Sequence, residues 1–300
     1  MNKIEFTEAE RKSMLKLLTL AKEEDLGTGD VTCKLLPAEL KATGKFVARE
    51  ELIVCGGVFL KDVAREYSEL IEVELCAAEG TKVSPGEPIA IWSGPAWAVM
   101  SAERIALNFM QRLSGIATLT RKFVDKIAGT NANIYDTRKT TPGWRDLEKY
   151  AVRTGGGKNH RRGLYDSVIV KDNHLVALAK AGRPTALKDF GPELDNLRKH
   201  LGHDGFIEVE VDTLEQFADA LTLPVDIIML DNIPPAGLRK AIEMRAQAKL
   251  QDKIQLEASG GITYDVIAQV ASTGVERIAL GCLTHSAVAV DIGLDLQLGD

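Results

Sequence analysis

The spacing of apolar residues changes along this chain, and each change marks a boundary between elements. Met14, Leu15, Leu17, Leu18 and Leu20 recur on one helical face, and Thr7 with Glu10 forms a capping-box pair ahead of them. The pattern predicts an amphipathic first helix ending at EDLGTGD (24–30), whose glycines and aspartates read as a turn. Short strands are expected at 46–48, 52–55, 73–76 and 89–91, with Ser84-Pro85-Gly86 as a turn between the last two. Helical spacing returns at Met100, Ile105, Leu107, Phe109, Met110 and Leu113. Ser114-Gly115 is expected to stop that helix, and a second to run through Phe123 and Ile127. Arg104 stands among Ile105, Ala106 and Leu107. Adjacent helical residues do not face each other, so Glu103 cannot pair with it, and its partner is expected on another element or another chain.

Beyond residue 130, apolar runs alternate with helical segments, and most of them end in a polar or glycyl residue. The runs at 133–135, 168–170, 227–230, 254–256 and 277–280 lead to Asp136, Lys171, Asp231, Glu257-Ala258-Ser259 and Gly281, while 206–211 carries Glu208 and Glu210 on one face. Such alternation predicts parallel β/α structure, in which functional groups cluster at the C-terminal strand ends. Six strands rather than eight argue for an open sheet over a closed eight-strand barrel. Ser259-Gly260-Gly261 precedes a helix expected near Thr263, where backbone N–H groups would hold a phosphate, and Gly281 follows the next strand. A last strand within 291–298 is expected to return to the first domain. The reading is therefore α/β, with an N-terminal domain (1–115, joined by the tail 287–300) and a β/α catalytic domain (116–286).

Charge narrows the chemistry. The 300-residue chain has 45% hydrophobic and 27% charged residues, a net charge of −6 and a pI near 5.6. That balance argues against a general nucleic-acid binder. Residues 136–174 nevertheless carry nine Lys or Arg against five Asp or Glu. The cations cluster in Thr137-Arg138-Lys139 and Asn159-His160-Arg161-Arg162, with Gly155-Gly156-Gly157 read as free backbone between them. Crowded cations repel and cost desolvation unless an anion sits among them, so this stretch reads as a site for a small anion. Of the strand pair Glu208 and Glu210, Glu210 is the stronger site candidate, and one of the two is open to a structural ion-pair role. His174 is read as either a site residue or a helix cap, Trp97 and Trp144 as packing, and His200 and His203 as surface residues. Cys33, Cys55, Cys76 and Cys282 form no C-x-x-C pair, which disfavours zinc and disulfides and suggests reduced, cytoplasmic thiols. No signal-peptide core and no membrane-length apolar run are present, so a protein that is not exported and not membrane-bound is expected.

The motifs DTRKTTPG (136–143), GGGKNHRRGLYDSVIVKDNH (155–174), EVEV (208–211), MLDN (229–232), EASGGI (257–262) and LTHSA (283–287) resemble the nicotinate-nucleotide pyrophosphorylase (carboxylating) family, also called quinolinate phosphoribosyltransferase. EDLGTGDVT (24–32) and ERIALNFMQRLSGIAT (103–118) extend the resemblance over essentially the whole chain. It implies an N-terminal α/β sandwich-like domain plus an irregular open β/α barrel, the type II phosphoribosyltransferase architecture. It also implies a homodimer or higher homo-oligomer whose sites are completed by a neighbour. Thr137, Arg138, Lys139, His160, Arg161 and Lys171 would line the quinolinate site, with Arg104 entering from the partner. Glu210 and Asp231 would face the ribose and Mg²⁺ of phosphoribosyl pyrophosphate, the metal being held mainly through substrate. Ser259, Gly260, Gly261, Gly281 and His285 would hold the 5′-phosphate, and Lys139, Lys171, Glu210 and Asp231 would carry the catalytic roles. The implied reaction joins quinolinate to phosphoribosyl pyrophosphate with loss of CO₂, giving nicotinate mononucleotide and pyrophosphate. Two departures from the family pattern are small: Lys158 falls at a variable position, and Ala279-Leu280-Gly281-Cys282 replaces a more usual Ser-Val-Gly-Ala. The alternatives are a related pyrophosphorylase of the molybdenum-transport type and a non-catalytic sugar-phosphate-binding protein. The complete cationic motifs weigh against the first, and Glu210 and Asp231 against the second.

Overall fold

The computed structural model describes residues 4–181 and 186–299. Two compact units emerge, one comprising Met1–Lys122, Lys139–Gly157 and Cys282–Asp300, the other Phe123–Arg138 and Lys158–Gly281. Residues 139–157, expected in the catalytic domain, thus pack with the first unit. Their helix buries Leu147, Tyr150, Ala151 and Val152 there, which outweighs its place in the chain.

In the first unit, α1 (Glu8–Asp25) is capped as expected. Thr7 Oγ1 accepts from the Glu10 amide at 3.3 Å and Glu10 Oε2 from the Thr7 amide at 2.9 Å. Strands β1 (Lys41–Ala48), β2 (Leu52–Ile53), β3 (Glu72–Leu75), β4 (Lys82–Val83) and β5 (Pro88–Pro95) follow, with α2 (Leu60–Tyr67) after β2. The returning strand at the C-terminus, Ile292–Leu298, pairs antiparallel with β1 and completes a four-stranded sheet that also holds β5 and β3. Phe46 and Trp92 meet edge-on in its core, ring centroids 4.9 Å apart.

The expected break at Ser114-Gly115 is absent: α3 runs unbroken from Ala96 to Lys126. Both residues serve packing instead. Ser114 Oγ accepts from the Cys55 amide at 3.0 Å and donates to its carbonyl at 3.1 Å. A Cβ on Gly115 would lie 2.1 Å from the Val288 carbonyl oxygen, so only glycine fits. The triple glycine after α4 (Arg145–Thr154) has a similar cause. Side chains on Gly155 and Gly157 would meet Thr120 at 2.6 and 2.9 Å, and Gly156 takes a φ of +94°. These glycines seat a helix end rather than wrap an anion. Trp144 stacks on Phe109 at 5.0 Å, the packing role expected of it, and Trp97 is 37% exposed.

The second unit holds β6 (Asn133–Tyr135), β7 (Val168–Val170), β8 (Ile207–Val211), β9 (Ile227–Asp231), β10 (Gln255–Ser259) and β11 (Arg277–Ala279) in one six-stranded parallel sheet, ordered β6-β11-β10-β9-β8-β7. Helices between the strands include α5 (Asp172–Lys180), α6 (Gly191–Arg198), α7 (Leu214–Ala220), α8 (Pro235–Gln247) and α9 (Ile267–Ala271). Each strand therefore neighbours its sequence successor from β7 to β11, and β6 joins last, the six-strand open arrangement that the alternation predicted. Val209, Ile228, Leu230, Leu256 and Ile278 are fully buried. The strands are apolar because parallel sheets are covered on both faces, so any charge inside one needs a reason.

Candidate active site

The site begins at the C-terminal end of β6. Asp136 is fully buried, and its carboxylate accepts from Asn159 Nδ2 and from the His160 amide, each at 2.7 Å. Lys158 donates its amide to the Ile134 carbonyl at 2.7 Å and accepts from the Asp136 amide at 3.1 Å, so this segment runs parallel beside β6. Two cationic clusters far apart in sequence are thereby joined. Burial and then the charge of nearby Arg138 hold the Arg161 guanidinium below its usual pKa. Arg161 Nη1 donates to the Ser167 carbonyl at 3.1 Å, while its Nε is buried with no acceptor among the described residues. Arg161, held down by a neighbouring guanidinium and keeping a buried donor, marks a place suited to an anion.

Beneath this lies a group of buried charges that sequence reading did not assemble. His160 Nε2 is 3.0 Å from Glu208 Oε2 and 3.4 Å from Glu257 Oε1. Arg277, the register partner of Glu257 across β10 and β11, donates Nε to Glu257 Oε2 at 2.8 Å and lies 3.7 Å over the Tyr135 ring. Burial lowers the His160 pKa, but the hydrogen bonds and charges of Glu208 and Glu257 outweigh it and push it upward. Nδ1 accepts the Arg161 amide at 2.8 Å, so the proton that faces the two carboxylates is the one on Nε2. Burial and then the neighbouring Glu257 charge raise the Glu208 pKa. Glu257 is also raised by burial, yet His160 and Arg277 bring it below the ordinary value. The three ligand atoms lie within 4.8 Å of one another, close enough for a metal ion. A metal-bound histidine ordinarily donates its other N–H outward, whereas here that nitrogen is an acceptor, and Arg277 already supplies the cation. The cluster is protonic rather than metallic.

Along the same edge, Lys171 follows β7 and pairs with Glu210 of β8. His174 Nδ1 accepts the Lys171 amide at 3.0 Å, which identifies it as a cap at the start of α5. Asp231, at the end of β9, is the register partner of Ser259, at the end of β10, and accepts from Asn232 Nδ2 at 2.8 Å. Asn232 adopts a left-handed φ of 55°, and its amide donates to the Ser259 carbonyl at 2.9 Å. A Cβ at Gly260 would meet Asn232 Oδ1 at 2.3 Å, and Gly260 and Gly261 have φ of +88° and +59°. Ser259-Gly260-Gly261 thus forms a close-packed turn against the β9 end. The helix expected near Thr263 begins at Ile267, as the five-residue α9, because a turn intervenes. Gly281 is half-buried just past β11, after Leu280, whose amide donates to the Tyr135 carbonyl at 2.9 Å.

Three candidates belong to the first unit. Lys139 is exposed, and its carbonyl accepts from Thr284 Oγ1 at 2.6 Å, bringing the 139 segment beside His285. His285 is exposed, with Nδ1 2.7 Å from Ser286 Oγ. Arg104 is exposed on α3 and makes no ion pair among the described residues, while Ile105, Ala106 and Leu107 turn into the core. Thr137 is half-buried between Asp136 and Arg138 in the second unit. Sequence reading placed Asp136 and Glu257 at strand ends but gave no role to Glu257, Arg277 or Asn232 in building the site. For Glu257 and Arg277 the available signal was a charge inside an otherwise apolar strand run.

Models of the N-terminal and C-terminal domains of quinolinate phosphoribosyl transferase match residues 30–114 and 116–295. The chain belongs to the quinolinate phosphoribosyltransferase family. A relative from Bacillus subtilis, named a probable nicotinate-nucleotide pyrophosphorylase (carboxylating), is 42% identical over 285 residues, covering 95% of this chain and 94% of its own. The nicotinate-nucleotide pyrophosphorylase (carboxylating) of Mycobacterium leprae is 39% identical, covering 92% of this chain and 94% of its own. The solved nicotinate-nucleotide pyrophosphorylase of Francisella tularensis superposes with a TM-score of 0.85 at 34% identity, over 99% of this chain and all of that one. The family's mixed α/β architecture, a parallel sheet with helices plus an antiparallel sheet, is the one found here.

Proposed function

We propose that this family member transfers the phosphoribosyl group of phosphoribosyl pyrophosphate to quinolinate and releases CO₂ and pyrophosphate, forming nicotinate mononucleotide for NAD biosynthesis. The observation that supports this reading is the juxtaposition of two cations, Arg138 and Arg161, brought together as Asp136 holds the His160 backbone beside the end of β6, an arrangement suited to a dianion. Thr137, Arg138, Lys139, His160, Arg161 and Lys171 are assigned to quinolinate. Ser259, Gly260, Gly261, Gly281 and His285 are assigned to the 5′-phosphate.

The chemistry follows from charge. The cations offset the substrates' negative charges and bring them together. As the bond from the anomeric carbon to pyrophosphate breaks, positive character grows on the ribose, and Glu210 and Asp231 stabilise it. The pyridine nitrogen donates its lone pair to that carbon. Once alkylated, the ring nitrogen is cationic and stabilises the electron pair left on the adjacent ring carbon when the 2-carboxylate departs as CO₂; that pair then takes up a proton. No side-chain nucleophile is needed. Glu210 and Asp231 also suit Mg²⁺. Each is half-exposed with one oxygen engaged, by Lys171 and by Asn232, and the other without a hydrogen bond among the described residues. Mg²⁺ is commonly held by one or two carboxylates plus substrate phosphates. When bound, it would neutralise the pyrophosphate leaving group. Purified protein given quinolinate, phosphoribosyl pyrophosphate and Mg²⁺ should release pyrophosphate and CO₂ in equal amounts. Pyrophosphate release that continues without quinolinate, or no turnover at all, contradicts the reading.

No described helix is long and apolar enough to cross a membrane. With four free cysteines, the proposed setting is the cytoplasm. The proposed assembly is a homodimer in which exposed Arg104 enters the partner's site. Mixing inactive Arg104→Ala and Lys171→Ala homodimers after dissociation should then restore about a quarter of wild-type activity, because half the dimers are mixed and one site in each is intact. No recovery despite verified heterodimers rejects the shared site.

A further inference from the structure

The buried side chains below the strand ends have no part in the chemistry above, yet they surround a residue of the anion pocket on all sides. His160 is 8% exposed. Its amide is held by Asp136 at 2.7 Å, its Nδ1 accepts the Arg161 amide at 2.8 Å, and its Nε2 faces Glu208 and Glu257 at 3.0 and 3.4 Å. Its ring meets the edge of Phe206 at 5.2 Å. Nδ1 is thus engaged within the protein while Nε2 faces two carboxylates, and the amide that Nδ1 receives belongs to Arg161 itself. The imidazole lies between the buried carboxylates of the parallel sheet and the backbone of Arg161, the residue assigned above to substrate.

Glu208 and Glu257 are not equivalent. Glu257 is fixed by Arg277 through Oε2, and it presents Oε1 to His160. Glu208 is fully buried, and neither of its oxygens makes a hydrogen bond of good geometry among the described residues; its closest polar contact is the imidazole. A buried carboxylate this poorly satisfied costs stability, and an apolar side chain of similar size would be tolerated at least as well. Its strand position is two residues below Glu210 on the same face. We propose that Glu208 is a positioning residue. Its oxygen fixes the Nε2–H tautomer and the orientation of His160, which in turn holds the Arg161 backbone where its guanidinium meets a substrate carboxylate. Glu257, clamped by Arg277, is the second anchor of the same ring. The inference rests on the proposed quinolinate reaction for its kinetic reading and on the ring geometry alone for its spectroscopic one.

The test compares Glu208→Leu with Glu208→Gln in the full-length protein. Glu208→Leu removes the oxygen but keeps the volume. It should raise the KM for quinolinate about tenfold or more, the scale of one lost hydrogen bond near a charged contact, with the KM for phosphoribosyl pyrophosphate and kcat within about threefold. Its melting temperature should be unchanged or higher. Glu208→Gln returns an oxygen acceptor and should restore most of the quinolinate affinity. Nitrogen NMR of labelled histidines supplies an arm independent of turnover: wild-type His160 should carry its proton on Nε2, and Glu208→Leu should lose that preference. Inactive wild-type protein with the Nε2–H tautomer intact would sink the quinolinate reading and leave the positioning of His160 standing. An unchanged quinolinate KM in a folded Glu208→Leu protein, an equal rise in both KM values, failure of Glu208→Gln to restore affinity, or a wild-type His160 protonated on Nδ1 would overturn the positioning role.

Discussion

Two fully buried glutamates, one in each unit, are treated differently by the fold. Glu148 on α4 accepts from the Thr141 amide at 3.1 Å, from Thr141 Oγ1 at 2.9 Å and from Arg112 at 2.7 Å. Arg112 in turn donates to the Ala287 carbonyl at 2.7 Å and to that of Thr284 at 2.5 Å. The Thr141 bonds fix the entry to α4, those of Arg112 tie three segments of the first unit together, and the carboxylate is well satisfied. Glu208 on β8 has the same burial and far fewer partners, and its neighbours are a histidine and a second carboxylate. The contrast separates two uses of buried charge. A satisfied carboxylate holds segments together, whereas an undersatisfied one is retained for what it orients.

Substitutions at the two kinds of position should therefore separate stability from activity. The largest effect is expected at Glu148→Ala, which removes the charge partner of half-buried Arg112 and the acceptor of the Thr141 amide and hydroxyl and should cost about 3–5 kcal/mol of stability in chemical denaturation. A loss below about 1 kcal/mol would mean that the saturated network is not what holds those segments. Next is Arg138→Ala, which should lower kcat/KM by roughly 30- to 1,000-fold, equivalent to about 2–4 kcal/mol of transition-state stabilisation, with little change in melting temperature. A decrease under about threefold would remove Arg138 from the site. The smallest stability change belongs to Glu208→Leu, whose melting temperature should not fall even as quinolinate binding weakens.

How much of this was legible in sequence follows the same division. Strand ends could be read because parallel strands are buried on both faces, so Asp136, Lys171, Glu210 and Asp231 stand out at the edges of apolar runs. The capping box at Thr7 and Glu10 is local, and it formed as read. Gly115 and the glycines at 155 and 157 were misread because their constraints are tertiary. Gly115 is dictated by the approach of Val288, and the other two by Thr120, which no local pattern reveals. The His160 cluster was hidden for the same reason: its members come from a loop and three strands, and only the sheet register sets Glu257 against Arg277. Of Glu208 and Glu210, sequence alone left open which was structural. The structure gives Glu210 to the Lys171 edge and Glu208 to the interior.

The claim at the centre of this account is that the pocket around Arg138 and Arg161 is sized for two carboxylates. Steady-state turnover of quinolinate and of nicotinate, which lacks the 2-carboxylate, measured side by side with saturating phosphoribosyl pyrophosphate and Mg²⁺, tests it most directly. The account predicts efficient turnover of quinolinate and a kcat/KM for nicotinate lower by at least about 100-fold, since a charged contact left unpaired in a desolvated site costs a few kcal/mol. Comparable turnover of the two acids would contradict it.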